Sequence, residues 1–111
     1  MADYERRRFY RLRYPASVRP YMQYRQWKFP VAEISEQGLR FKIIEEALDH
    51  LVLHIKAKVF FNDGESLDIE GRILRIEDDE IILQLSVGIP LKRMISEQHF
   101  VIKACPHLKK F

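Results

Sequence analysis

Hydrophobic and polar positions alternate along most of this chain, the period-two pattern of strands with one buried face. Residues 17–29, SVRPYMQYRQWKF, mix Val18, Tyr21, Tyr24 and Trp27 with polar neighbours and read as one strand, with Pro20 marking an edge or a bulge. FPVAEIS reads as a second strand, EQG as a turn with Gly38 expected at positive φ, and LRFKI as a third strand with Leu39, Phe41 and Ile43 on one face. Between Glu45 and Phe61 both periods fit. Ile43, Ile44, Ala47, Leu48, Leu51, Val52 and Ile55 follow a helix, whereas Leu51, Leu53, Ile55, Ala57 and Val59 follow a strand. The β-branched and aromatic ending KVFF favours one helical turn near 45–49 and then a strand over about 51–61. NDG at 62–64 is a hairpin turn, and EDDE joins two further strands, about 66–76 and 80–87.

The period then changes. In IPLKRMISEQHFVIKA, Leu91, Met94, Ile95, Gln98, Val101 and Ile102 recur at three and four, which predicts an amphipathic helix over about 90–104. Pro90 suits its first turn and Pro106 ends it. The expected fold is mainly β: six or seven antiparallel strands in a small sandwich or barrel, with a C-terminal helix over one face or opening. Residues 1–14 read as a flexible Arg-rich loop, and 15–111 as a single domain.

Composition adds a charge asymmetry. The chain of 111 residues carries +3 overall. Residues 1–28 hold eight basic and two acidic residues, a net of +6, and the remainder holds 11 and 14, a net of −3. A basic arm on a mildly acidic body points to a localised anion site, with a solubilising tail as the alternative. Cys105 stands alone, no apolar stretch follows the N-terminal charges, and no apolar run approaches the roughly 20 residues of a membrane span. These features lead us to expect a cytoplasmic protein without a membrane span.

Catalytic or metal chemistry finds little support. Cys105 and His107 flank Pro106 without an oriented base. His50 and His54 lie about 13 Å apart on an extended strand, and no third ligand accompanies them. EDDE at 77–80 lacks the spacing of a calcium loop and reads as a solvated turn, and no glycine-rich phosphate loop occurs. We therefore expect no enzyme, no metal and no cofactor.

Two spaced pieces carry the functional signal. Arg7-Arg8-Phe9-Tyr10-Arg11 is an RxxxR, and Glu33-Ile34-Ser35-Glu36-Gln37-Gly38 ends in SxxG at a turn between strands. Either piece alone is weak; together, in this order, they are much less frequent by chance. In these residues the chain resembles the PilZ domain, the bacterial receptor module for cyclic di-GMP, whose pattern is RxxxR before the first strand and (D/N)xSxxG at the end of the second. The resemblance implies a six-stranded antiparallel barrel with a C-terminal helix. It also implies a cyclic di-GMP site formed by Arg7, Arg11, Glu33, Ser35 and Gly38, with Arg6 and Arg8 as flanking contributors, and signalling through an effector protein. Glu33 stands where the family has Asp or Asn, keeping the carboxylate with one more methylene. The residue at Arg6 is associated in the family with holding one ligand or a stacked pair, and a cation there favours the pair. Arginine forks suit this ligand, because they meet phosphate oxygens or the O6/N7 edge of guanine with two hydrogen bonds. Two other readings stand beside it. One is a single-stranded nucleic-acid binder that stacks bases on Tyr10, Tyr14, Tyr21, Tyr24 and Trp27. The other is an adaptor that needs no ligand and docks through the helix face or the Trp27 strand.

Overall fold

The computed structural model describes residues 11–105. Its strands are β1 Arg11–Arg13, β2 Tyr21–Tyr24, β3 Trp27–Ser35, β4 Gly38–Lys42, β5 His54–Phe60, β6 Ser66–Glu77 and β7 Glu80–Leu85, followed by helix α1, Leu91–Ala104. Short 3-10 segments occupy Ala16–Val18 and Glu45–His50. All strand pairs are antiparallel, and six strands close into a barrel in the order β3-β2-β5-β6-β7-β4 and back to β3. β1 is the extra strand. It pairs with Glu33–Ser35 of β3, beyond the Trp27–Pro30 stretch that pairs with β2. Closure leaves no long unpaired edge in the barrel itself.

The alternating positions supply the core. Met22, Phe29, Val31, Ile34, Leu39, Phe41, Ile55, Val59, Ile81 and Leu83 are buried, and Phe29 meets Phe41 edge to face at 4.9 Å between ring centroids. Such a pair adds about 0.5–1.5 kcal/mol to the burial of its area. The NDG turn holds Gly64 at φ 88° and lets Asp63 accept the Glu65 N–H at 2.9 Å.

Several elements differ from expectation for identifiable reasons. The single strand expected over 17–29 is a hairpin, because the chain reverses at Arg25–Gln26 between Tyr24 and Trp27. Arg25 takes φ 56° there with no glycine or asparagine to announce the turn. Arg11–Arg13, expected in the loop, is a strand; residues 1–10 of that loop lie outside the described residues. β5 starts at His54 rather than near 51, leaving Leu53 69% exposed. Pro90 precedes α1 in an extended conformation, with its carbonyl accepting the Met94 N–H. The buried face of α1 is Met94, Glu97 and Val101, while Leu91 and Ile95 of the expected stripe are exposed. Glu97 turns inward because it has partners: the Tyr14 hydroxyl donates to it at 2.6 Å and Arg93 at 3.0 Å.

Candidate functional site

A bulge decides which residues of β3 face water. Phe29 and Val31 point into the barrel, so strict alternation would carry Glu33 and Ser35 inward as well. The register against β4 shifts between Val31 and Glu33, with Ala32 as the extra residue. One inserted residue reverses the faces that follow it. Ile34 therefore becomes fully buried, while Glu33 and Ser35 turn outward. β1 braces this point: the Tyr14 N–H donates to the Ala32 carbonyl at 2.9 Å.

The outward face then assembles the predicted residues. Arg11 sits opposite Ser35 and Arg13 opposite Glu33 in the β1–β3 register. Ser35 donates to the Gly38 carbonyl at 3.4 Å across the Glu36–Gln37 link. That link is fastened from outside: the Leu85 and Ile89 N–H groups donate to the carbonyls of Gln37 and Glu36, each at 2.9 Å. Gly38 is not at positive φ, contrary to expectation; it opens β4. Its missing side chain serves space instead, since a Cβ there would lie 3.2 Å from Ser35 Oγ and 3.3 Å from the Leu83 carbonyl oxygen. Arg6, Arg7 and Arg8 lie outside the described residues.

Electrostatics separate the arginines into two kinds. Arg13 forks onto Glu80 with Nη1–Oε1 at 3.0 Å and Nη2–Oε2 at 2.6 Å, and Arg40 Nε donates to the same carboxylate at 3.0 Å. Arg40 also reaches Glu77, which Arg75 holds from the other side. The hydrogen bond from Arg13, ahead of its charge and of the Arg40 contacts, holds the Glu80 carboxyl below the usual carboxylate range; burial opposes it. Arg11 is exposed and, among the described residues, has no carboxylate partner. Among the described residues Glu33 accepts no side-chain hydrogen bond, because its contact with Arg13 is 3.8 Å, too long for one.

This network escaped the sequence reading. EDDE is not a solvated turn throughout: only Asp78 and Asp79 form the turn, and Glu80 is 5% exposed beneath two guanidiniums. Its signal in sequence is slight, namely that Arg13 shares the parity of Arg11. The aromatic display required by base stacking is largely consumed by the fold. Tyr14 and Tyr24 are buried, Tyr21 stacks on Phe60, and Trp27 packs against His50. Tyr10 lies outside the described residues. His54 pairs with Glu70 at 3.1 Å, and no cluster of three or more metal-ligating side chains occurs among the described residues. No helix among them is long and apolar enough to cross a membrane.

The closed antiparallel barrel thus sets on its outer face an arginine without a carboxylate partner among the described residues, opposite a serine–glycine turn. Comparison with known proteins gives the family: the PilZ domain model matches residues 5–102. The chain belongs to the PilZ domain family, whose members are binding and adaptor domains of the cyclic di-GMP receptor type. No curated protein matches it. Among solved structures, the crystal structure of an uncharacterized Legionella protein shares the fold, with a TM-score of 0.58 and 15% identity over 92% of this chain and 99% of that one.

Proposed function

We propose that this protein is a cytoplasmic cyclic di-GMP receptor that signals through a protein partner and performs no chemistry of its own. The observation that carries the reading is Arg11, without a carboxylate partner among the described residues, standing opposite Ser35 on the outer face beside an available Glu33. In this reading Arg11 and Arg7 fork onto phosphate oxygens or a guanine edge. Glu33 accepts guanine N–H groups, Ser35 Oγ contacts a phosphate or base edge, and Gly38 leaves room for the ligand. Arg6 and Arg8 close over the site with the rest of the N-terminal segment, and Arg6 favours a stacked ligand pair. The ordered segment and the barrel together then present a new surface to the effector.

Calorimetry with cyclic di-GMP tests this directly. Binding is expected, and Arg7→Ala or Arg11→Ala is expected to weaken it by about 1.5–3 kcal/mol, roughly ten- to a hundredfold. Glu33→Asp, which restores the family residue, retains or tightens binding. No heat from folded protein at tens of micromolar ligand would overturn the reading. Burial of Tyr14 and Tyr24 disfavours the nucleic-acid alternative.

A further inference from the structure

We infer that Arg72 and Gln84 extend the proposed ligand site across the outer face of the barrel as a guanine-reading subsite; the inference rests on that proposed function. The strand registers place these residues in one row. Arg11 pairs with Ser35 and, beyond the Glu36–Gln37 link, Gly38 pairs with Gln84, Gln84 with Arg72, and Arg72 with His54. Three inter-strand steps of about 4.8 Å put the Arg72 backbone about 14 Å from Ser35, and its side chain reaches one strand back toward it.

The far end of this row is concave. His54, Gly71, Arg72, Gln84, Leu85 and Ser86 line an open groove of about 250 Å³. Gly71 lets β6 and β7 approach closely beside it, since a Cβ there would come within 2.4 Å of the Gln84 carbonyl oxygen. Arg72 lies flat along the sheet, its Nε and Nη2 donating to Gln84 Oε1 at 3.3 and 3.2 Å. Among the described residues it has no carboxylate partner.

The donor set selects the occupant. Glu70, held by His54 at 3.1 Å, places a carboxylate close by and makes a second phosphate a poor guest. A neutral purine suits the groove better, with its edge turned in plane toward the guanidinium. Gln84 Oε1 is already engaged, so its amide nitrogen and Arg72 Nη1 remain as donors. Guanine offers two acceptors, O6 and N7, on that edge, whereas adenine replaces one of them with an N–H donor. The row therefore favours a guanine of the dinucleotide over an adenine.

The test is calorimetry of the wild type, Arg72→Ala and Gln84→Ala with cyclic di-GMP and cyclic di-AMP, together with amide chemical shifts of the wild type during titration with cyclic di-GMP. Both side chains are exposed, so the variants should fold. The expected result is about a tenfold or greater loss of cyclic di-GMP affinity in each variant, a narrowed preference over cyclic di-AMP, and shifts at Gly71, Arg72, Gln84 and Ser86 as well as at Arg11, Ser35 and Gly38. Shifts confined to Arg11, Ser35 and Gly38, with both variants binding like the wild type, overturn the subsite and leave the receptor reading standing. No binding by the wild type overturns both.

Discussion

Glu80→Gln tests whether the arginine strand is fastened from outside. The Glu80 carboxylate, 5% exposed, accepts two hydrogen bonds from Arg13 and one from Arg40. Glutamine keeps the volume and one acceptor oxygen but turns an NH₂ group toward a guanidinium. One hydrogen bond is lost and the others weaken. Hydrogen bonds to charged groups contribute about 1.5–3 kcal/mol each. The Arg13 side chain is 51% exposed, so water recovers part of this loss, and a net destabilisation of about 2 kcal/mol is expected. For a chain of this size that lowers Tm by about 8 °C. The Glu80 carboxyl is held below its ordinary value of 4.5, chiefly by the Arg13 hydrogen bond. Its contribution is therefore complete above that value and is lost as pH falls further. The gap between wild type and variant should be full at pH 7 and shrink below about pH 4.5. Urea unfolding followed by Trp27 fluorescence at both ends of this range measures it. Equal midpoints at pH 7, or a gap unchanged by acid, would refute the reasoning.

The remaining predictions concern the inner anchor, the turn and the hairpin. Tyr14→Phe leaves a Glu97 oxygen without its donor and should cost about 2 kcal/mol in urea unfolding. Burial first, then Glu97, pushes the Tyr14 hydroxyl above the usual tyrosine range, so above about pH 10 the unfolded chain ionises where the folded one does not. Stability should fall with rising pH there, and less steeply in Tyr14→Phe. Gly38→Ala crowds Ser35 Oγ and the Leu83 carbonyl, and should cost about 1 kcal/mol while weakening the ligand further than that loss of stability explains. Arg25→Gly relieves a left-handed residue worth about 1 kcal/mol but loses an exposed cation–π contact with Tyr24 at 5.2 Å, for a net gain of about 0.5 kcal/mol in thermal unfolding.

β4, whose burial alternates regularly, was legible in sequence because burial alone sets its pattern. What was illegible depends on partners far along the chain. Ala32 looks like any core alanine until its register against β4 is known, yet it decides that Ser35 meets water. Arg-Leu-Arg reads as a tail until Leu12 and Tyr14 are seen buried. Glu97 looks like the polar side of a helix until Tyr14 and Arg93 satisfy it. The RxxxR and SxxG pieces were legible as local motifs, whereas the Arg13–Glu80–Arg40 network joins residues with no local pattern to mark them.

The Tyr14–Glu97 bond also bears on the order of assembly. It spans 83 residues, roughly 4–17 s of synthesis at 5–20 residues per second. The strand that carries Arg11 is made well before its inner anchor, which arrives with the helix. Its outer anchor, Glu80, comes only 67 residues after Arg13. A nascent chain that has finished β1 through β4 therefore has the residues of the β1–β3 pairing but not the side-chain bonds that fasten β1 to β7 and to the helix. The fully fastened β1 belongs to the chain that has completed α1, so on the proposed function a half-made chain should bind the ligand more weakly than the finished one.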